Sequence, residues 1–196
     1  MPVTDFLVSR GFNVFEGYCQ EQPLEVQDLI ALTTRPNLRV MEIGFNAGHS
    51  AEVFLQNNPT LTLTSFDLGE HAYVSAAKDY IDQTYPNRHT LILGSSTVTV
   101  PQYHKDHPND TFDVIFIDGA HDYETANKDV ENCRALANRN TLVLLDDTMY
   151  TPEWVRYWTV GPTQTWTEHI ANNKIIHLHH VDYRIGNGLS WGIYNV

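Results

Sequence analysis

The segment 38–50 constrains the fold most, because an apolar run in it ends at two closely spaced glycines before a helical pattern begins. The run carries one acid, Glu42, near its end. A buried strand that turns directly into a helix has this pattern. Gly44 permits a tight turn, and Gly48 permits a ligand to approach the backbone closely. The unpaired N–H groups of the helix start suit an anionic or polar ligand group, and a plain turn without a ligand is the alternative.

Four further apolar runs follow the first one along the chain, and helical patterns separate them. Strands are predicted at 38–43, 61–66, 89–93, 112–117 and 141–145. Helices are predicted at 21–34, 48–57, 71–85 and 123–137, with Asp122 as a cap of the last one and a short helix or loop at 97–110. Strands that alternate with helices predict an α/β fold, with a parallel sheet and helices on both faces.

The C-terminal part departs from this alternation. Two strands are predicted at 174–183 and 188–194, with Asn187-Gly188 as the hairpin signal between them. The sheet is therefore expected to have seven strands, mostly parallel, and to finish in an antiparallel hairpin. Before the hairpin, Thr151-Pro152 starts a short helix, Gly161-Pro162 breaks it, and a capping-box pattern from Thr165 to Glu168 opens another.

Aromatic side chains are frequent in two places that flank the regular pattern. The mixed segment 2–22 is expected to form a short helix and a loop over the main body, and the segment 148–173 could form either core or substrate wall. The aromatic residues in question are Phe6, Phe12, Phe15 and Tyr18 in the first segment, and Trp154, Tyr157, Trp158 and Trp166 in the second.

Acidic residues outnumber basic ones by 24 to 12 among the 196 residues, which gives a formal charge of −12. Nucleic-acid backbones require clustered Lys and Arg, so a small-molecule partner fits better. No apolar run is long enough for a membrane span, and the first residues do not resemble a signal peptide. Cys19 and Cys133 have no metal-type spacing, so a reduced, cytoplasmic setting is expected. The length predicts a single domain over 1–196, and a homo-oligomer is possible.

The polar residues of the chain concentrate where the predicted strands end, which is where parallel sheets bind ligands. Asp118, Asp146 and Asp147 could together hold Mg²⁺ through oxygen ligands, or could cap loops and bond to backbone. His121 lies three residues after Asp118 and could take a proton from a substrate hydroxyl, or could cap the following helix.

Two other strand ends suit a nucleoside. Asp67 follows the second strand, where an acid in dinucleotide folds binds the ribose diol. Ser95 and Ser96 follow the third strand and could meet an adenine edge or cap the next helix. A nicotinamide-dependent dehydrogenase could use the same features, but the turn from Gly44 to Gly48 lacks the third glycine of the dinucleotide fingerprint.

These motifs resemble those of class I methyltransferases that use S-adenosylmethionine. The string EIGFNAGHS at 42–50 is similar to the first motif of that superfamily, and the terminal hairpin is similar to its reversed last strand pair. The string FDVIFIDGAHDYE at 112–124, followed by LLDD at 144–147, resembles methyltransferase family 24. This group is related to macrocin-type sugar O-methyltransferases and cephalosporin-hydroxylase-like proteins. The resemblance covers roughly residues 15–195, and EGYC at 16–19 resembles the segment that covers the cofactor.

The resemblance implies a Rossmann-like sandwich and roles for individual residues. Asp118, Asp146 and Asp147 would hold Mg²⁺, and His121 would be the general base. Catechol and caffeoyl-CoA O-methyltransferases, which are more distant, have lysine at the position of His121 and Asp-Asn at 146–147. The third strand of such enzymes usually ends in Gly-Asp-Ser, whereas this chain has Gly-Ser-Ser at 94–96. The cofactor would contact Glu42, Gly44, Phe45, Asn46, Gly48, Ser50, Asp67, Ser95, Ser96 and Asp118.

The expected activity is methyl transfer from S-adenosylmethionine to a hydroxyl of a small molecule, with Mg²⁺ as a second cofactor. An N-terminal cap, 1–36, and a substrate lid, 148–173, would set specificity. A non-catalytic cofactor-binding or assembly protein on the same fold is the second alternative, because a fold does not fix a function.

Overall fold

The computed structural model describes residues 1–17, 19 and 22–196, and within these ranges strands and helices alternate from Arg39 onwards. Seven strands form one sheet: β1 (Arg39–Ile43), β2 (Thr62–Asp67), β3 (His89–Leu93), β4 (Val114–Ile117), β5 (Leu142–Asp146), β6 (Ile175–Arg184) and β7 (Asn187–Tyr194). The helices are α1 (Val3–Ser9), α2 (Pro23–Leu32), α3 (His49–Asn57), α4 (Tyr73–Thr84), α5 (Ser96–Asp106), α6 (Tyr123–Arg134) and α7 (Tyr157–Ala171), with a short 3₁₀ turn at Pro152–Trp154.

The strand order in the sheet is β3-β2-β1-β4-β5-β7-β6. The first five strands are parallel, and β7 pairs antiparallel with both β5 and β6. The predicted Rossmann-like α/β sandwich with a C-terminal antiparallel hairpin is therefore confirmed. The order reverses between β1 and β4, so the loops that follow these two strands flank the switch point, where such sheets bind ligands.

Alternate side chains of the central strands supply two separate cores. Val40, Val114 and Phe116 pack on one side with residues of α1 to α4. Ile115 and Ile117 pack on the other side with residues of α5, α6 and α7. Because successive strand residues point to opposite faces, strands buried on both faces read as continuous apolar runs. This is why the sequence locates these strands to within two residues.

Local sequence signals for three of the helices are found in the structure. Asp122 caps α6 by accepting a hydrogen bond from the backbone N–H of Thr125 at 2.9 Å. Pro23 occupies the first turn of α2, and α1 is the predicted short N-terminal helix. The backbone N–H of Val3 donates to Glu52 Oε1 at 2.9 Å and so ties α1 to α3. Tyr18 and the predicted start of α2 at residue 21 lie outside the described residues.

The predicted helix break at Gly161-Pro162 is wrong, and so is the second helix start between Thr165 and Glu168, since α7 runs through both. Tertiary packing overrides the local breakers here. A Cβ on Gly161 would lie 2.3 Å from the carbonyl oxygen of His121, so only glycine lets the helix pack this closely. Trp166, one turn further on, is fully buried in the second core.

The hairpin turn lies two residues earlier than the Asn187-Gly188 signal predicts. Arg184 pairs with Asn187, so Ile185 and Gly186 form the turn. Gly186 has φ +71°, the left-handed conformation that the turn requires. Asn187 and Gly188 belong to β7 instead, and a Cβ on Gly188 would lie 2.3 Å from the carbonyl oxygen of Thr148.

No helix in the described ranges is long and apolar enough to cross a membrane.

Of the glycines that follow β1, Gly44 should tolerate replacement least. It has φ +94°, and a Cβ there would lie 1.8 Å from the carbonyl oxygen of Asp118. Gly11 is a matched control, because it has φ +93° but an added Cβ would meet nothing within 4 Å. Both alanine variants carry backbone strain of about 1 kcal/mol. Denaturant unfolding should show that Gly44→Ala loses at least about 3 kcal/mol more than Gly11→Ala. Equal losses would contradict the close packing of the two strand ends.

Candidate active site

A cavity of about 730 Å³ opens at the carboxyl ends of the parallel strands. Its wall includes the ends of β1, β2, β3, β4 and β5, together with the N-terminal segment, the first turn of α7 and the β6–β7 turn. The volume lies in the range of pockets that bury a cofactor-sized ligand. Of the residues predicted to bind or react, the wall contains Gly44, Asn46, Asp67, Ser95, Ser96, Asp118, His121, Asp146 and Asp147.

The glycine turn after β1 is tied to the end of β2. The backbone N–H of Asn46 donates to Asp67 Oδ2 at 2.8 Å, and the backbone N–H of Gly69 donates to Asp67 Oδ1 at 2.7 Å. Asn46 has φ +48° and its side-chain amide donates to the backbone carbonyl of Glu16. The carboxylate of Asp67 is thus held rigidly at the cavity wall, and each of its oxygens keeps acceptor capacity for a ligand hydroxyl.

Four residues predicted to contact the cofactor lie outside the cavity wall. Phe45 is buried and stacks on the ring of His89 at 5.0 Å between centroids. Gly48 begins α3 with φ +76°, and a Cβ there would meet the Phe45 ring at 3.1 Å rather than a ligand. Glu42 and Ser50 are buried and hydrogen-bonded to each other.

Glu42 supports the glycine turn by hydrogen bonds on the side away from the cavity. Its carboxylate also accepts a hydrogen bond from Ser65 Oγ at 2.6 Å, so it links β1, β2 and the start of α3. Complete burial is the main cause that raises the pKa of Glu42 to about 7, although the Ser50 and Ser65 hydroxyls oppose the shift. Glu42 therefore supports the turn by accepting hydrogen bonds from two hydroxyls, and it does not line the cavity.

The end of β3 contributes hydroxyl groups to the wall. Ser95 is exposed and its Oγ lies 2.9 Å from Thr97 Oγ1. The backbone carbonyl of Ser95 accepts from the N–H groups of Val98 and Thr99, so the residue also begins α5. Ser95 is the N-cap residue of α5 but its side chain makes no capping hydrogen bond, and contact of Ser95 and Ser96 with adenine stays a prediction.

Asp118, His121 and Asp147 converge at another part of the same cavity wall. One ligand atom from each lies within 4.8 Å of the others. His121 Nε2 is 2.9 Å from Asp147 Oδ2, and this hydrogen bond is the main cause that raises the pKa of His121. Burial and the neighbouring Asp147 raise the pKa of Asp118 to about 7. Asp147 has φ +56°, a left-handed conformation that is uncommon outside glycine and asparagine and turns its carboxylate to this cluster.

The donor set of this cluster fits a divalent cation. Two carboxylates and an imidazole are recognised ligands of such ions, and carboxylate oxygens are the ligands that Mg²⁺ prefers. The sequence also predicts Asp146 as a ligand, but its atoms are not part of the cluster that Asp118, His121 and Asp147 form among the described residues. Asp146 is buried beside the cluster, and burial followed by the charges of Glu25 and Asp118 raises its pKa.

One of the comparisons with known proteins identifies a family. A family model described as a methyltransferase domain, of methyltransferase family 24, matches residues 41–148. This chain belongs to that methyltransferase family. No curated protein sequence matches it.

Solved structures of O-methyltransferases share the fold at low sequence identity. One is an O-methyltransferase from Bacillus cereus in complex with SAH, with a TM-score of 0.74, 13% identity and coverage of 97% of this chain and 88% of that one. TomG from Streptomyces achromogenes, in complex with SAM, has a TM-score of 0.72, 13% identity and coverage of 99% and 88%. CalS11, a TDP-rhamnose 3'-O-methyltransferase of calicheamicin biosynthesis, has a TM-score of 0.66, 16% identity and coverage of 88% and 78%.

The methyltransferase cavity has further wall residues that the strand-end pattern does not reveal. Glu16 pairs with His71 at 2.7 Å and so closes the wall between the N-terminal segment and the loop after β2. Glu25, Asn187 and Arg184 come from α2 and the terminal hairpin. The sequence gives one indication that Glu25 is buried, because it is an acid among the apolar positions of a predicted helix. Asn187 could not be found in this way, because the hairpin pattern predicts it as a turn residue.

The aromatic residues of segment 148–173 divide between core and cavity. Trp166 is fully buried in the core, whereas Tyr157 and Trp158 line the cavity. Trp158 Nε1 donates to the backbone carbonyl of Gly186 at 2.7 Å and so connects α7 with the β6–β7 turn.

Asp129 should make the stability of this methyltransferase depend on pH. It lies on α6 behind Gly119 and is only 1% exposed, and a hydrogen bond with Ser96 opposes the effect of burial on its pKa. Burial is the main cause that raises its pKa from 3.8 to about 6. The folded state therefore binds the proton more tightly, and stability is lost as the pH rises from about 4 through about 6. Asp129→Asn should gain about 2 kcal/mol over wild type at pH 7.5 and almost nothing at pH 4.

Urea unfolding at the two pH values measures this difference. Asp79→Asn is the control, because Asp79 is exposed on α4 and its replacement should change stability little at either pH. A gain for Asp129→Asn of the same size at both pH values would show that its ionisation has no part in the effect.

Proposed function

We propose that this methyltransferase transfers the methyl group of S-adenosylmethionine to a hydroxyl oxygen of a small molecule. The observation that carries the proposal is the arrangement of one cavity. Its wall contains both a glycine turn with Asp67 and a cluster formed by Asp118, His121 and Asp147. The solved O-methyltransferases with SAH or SAM bound support the choice of cofactor.

The cofactor end would bind the adenosyl group through the chain's own polar groups. Asp67 would accept hydrogen bonds from the ribose hydroxyls, since its carboxylate is fixed at the wall by two backbone N–H groups. Asn46 and Gly44 would line the adjoining part of the cofactor. Ser95 and Ser96 would lie at the adenine edge in place of the acid that the wider superfamily often has there.

At the reacting end, His121 would act as the general base. Its Nε2–H donates to Asp147, which orients the ring and leaves Nδ1 with the lone pair that can accept a proton. The substrate oxygen would form the new O–C bond as the S–C bond of the sulfonium breaks and its electron pair stays on sulfur. The hydroxyl proton would pass to His121. The cofactor is reactive by itself, so positioning and removal of this proton are the tasks of the protein.

Asp118 and Asp147 would hold a divalent cation, with Asp146 as a further negative charge beside them. Such a cation, when bound, lowers the pKa of a coordinated hydroxyl and orients it. The carboxylates themselves provide the concentrated negative charge that would attract the ion to this end of the cavity. The structurally similar CalS11 is a sugar O-methyltransferase, so a polyhydroxylated acceptor is compatible with this fold.

The cofactor assignment predicts specific binding of adenosyl compounds. Isothermal titration should show micromolar binding of S-adenosylmethionine and S-adenosylhomocysteine, and no binding of NAD. Asp67→Asn should weaken the binding of S-adenosylhomocysteine at least about tenfold, because it replaces charge-assisted hydrogen bonds to the ribose. The exposed Asp79→Asn is the control and should leave the affinity unchanged. Binding of NAD alone would overturn the proposal. If none of the three ligands binds, a non-catalytic protein would be favoured.

The roles of Asp118 and His121 can be separated by variants. With S-adenosylhomocysteine present, Mg²⁺ should raise the melting temperature of wild type and of His121→Gln. It should have no effect on Asp118→Ala, which loses a carboxylate of the cation site. Both variants should still bind S-adenosylhomocysteine and both should lose methyl transfer. A full Mg²⁺ effect in Asp118→Ala, or full methyl transfer in excess chelator, would refute the cation site.

A further inference from the structure

Residues 12–17, which we call the strap, contact both helices that follow the strands β1 and β2. The ring of Phe15 lies edge-on to His49, the first residue of α3, with 5.6 Å between the ring centroids. The same ring lies edge-on to Tyr73, the first residue of α4, at 5.4 Å. One residue further along the chain, Glu16 lines the cavity. The strap therefore spans from the start of one helix to the start of the other, along the cavity wall.

Glu16 joins the two loops that border Asp67. Its backbone carbonyl accepts a hydrogen bond from Asn46 Nδ2, in the glycine turn after β1. Its carboxylate Oε2 accepts a hydrogen bond from His71 Nε2 at 2.7 Å, in the loop after β2. Both loops meet at Asp67, because the N–H of Asn46 donates to Asp67 Oδ2 at 2.8 Å and His71 follows Asp67 by four residues. One residue of the strap thus holds both loops beside the carboxylate that is proposed to bind the ribose.

Aromatic contacts attach the strap, and the side chain of Glu16 aligns it. The side chains of Glu16 and His71 are 75% and 45% exposed, and an exposed pair of this kind contributes little to stability. Tyr73 provides the larger contact, since Phe12 lies edge-on to its ring at 6.2 Å. His71 stacks on the same ring at 4.9 Å with 9° between the ring planes. Because this stacking fixes His71, its hydrogen bond to Glu16 sets the position of the strap relative to the cavity.

Asn46 has a buried acceptor that no described residue uses. Its amide donates to a carbonyl oxygen, which only the amide nitrogen can do, so Glu16 determines the orientation of the amide. The other amide atom, Oδ1, is buried and has no hydrogen-bond partner in the described part of the chain. A buried acceptor without a partner is costly in free energy. Since Asn46 lines the cavity and bonds to Asp67, this oxygen indicates a hydrogen-bond donor that arrives with the ligand.

We propose that Glu16 is a positioning residue for the cofactor. It holds the strap across the ribose site and orients the Asn46 amide, so that Asn46 Oδ1 and Asp67 each accept a hydrogen bond from the ribose diol. This inference rests on the proposed function, since the ribose would lie at Asp67. Glu16 acts through Asn46 and His71 and takes no part in methyl transfer itself. Release of the cofactor requires the strap to separate from these loops, so loss of either contact should speed dissociation.

A double-mutant cycle tests the contact between Glu16 and His71. Glu16→Ala removes the carboxylate and keeps the backbone carbonyl, and His71→Phe keeps a ring that can stack on Tyr73 but removes the donor. Each change should raise the dissociation rate of S-adenosylhomocysteine about two- to fivefold, measured by surface plasmon resonance. The double variant should dissociate no faster than the single variants, because both changes remove the same contact. Unchanged rates in the single variants, or effects that multiply in the double variant, would contradict the proposal.

Two controls separate positioning from a loss of charge and from a loss of structure. Glu70→Ala removes an exposed acid next to His71 in the same wall and should leave the dissociation rate unchanged. The melting temperature of ligand-free Glu16→Ala should stay within about 2 °C of wild type, because the pair is exposed. Equally fast dissociation in Glu70→Ala would assign the effect to wall charge, and a large fall in the melting temperature would assign it to folding. Either result would overturn the role of Glu16.

Asn46→Gly tests the second contact of the strap. Glycine accepts the left-handed backbone of this position, with φ +48°, and keeps the N–H that donates to Asp67. Loss of the amide removes both the hydrogen bond to Glu16 and the acceptor for the ribose, so dissociation should be about tenfold faster than in wild type. Dissociation no faster than in Glu16→Ala would contradict the role of Asn46 Oδ1.

Binding to wild type separates this inference from the proposed function. Failure of wild type to bind S-adenosylhomocysteine would contradict the proposed function itself. Normal binding to wild type, with unchanged dissociation rates in all variants, would contradict only the role of Glu16 and its strap.

Discussion

The contact between the ends of β1 and β4 is the constraint on which the site depends. Gly44 passes so close to the carbonyl oxygen of Asp118 that a Cβ would lie 1.8 Å from it. This contact places the turn that carries Asn46 directly beside the loop that carries Asp118 and His121. The sheet order reverses between these two strands, so the two loops diverge and leave a cavity above them. One backbone approach thus sets how the glycine turn and the Asp118 loop are placed relative to each other.

The second property of the site is that several acidic side chains lie close together in the cavity wall. Burial raises the pKa of Asp118 to about 7 and that of Glu25 to about 8. Carboxyl groups buried together destabilise each other when ionised, and the sheet core must offset this cost. A ligand with positive charge recovers part of it on binding. The acids of the cavity therefore favour ligands that carry positive charge.

The sequence predicts the parts of this arrangement that lie on single strands. Buried strands such as β4 read as apolar runs, and the residues after them, such as Asp118, fall at one edge of the sheet because the strands are parallel. The pattern could not show that Gly48 supports Phe45 instead of a ligand, since both uses require the same small residue. It also misplaced the break in α7, because the packing of Gly161 against the carbonyl of His121 joins segments 40 residues apart, which local propensity does not register.

One part of the cavity wall is built from segments near the two ends of the chain, and this explains why sequence patterns do not reveal it. Glu25 and Asn187 are 162 positions apart and meet only when the terminal hairpin joins the sheet. The cofactor turn, in contrast, is held by contacts among β1, β2 and β4. Substitutions in α2 or the β6–β7 turn can therefore change this part of the wall without disturbing Gly44, Asn46 or Asp67, because the two parts of the wall share no strand end.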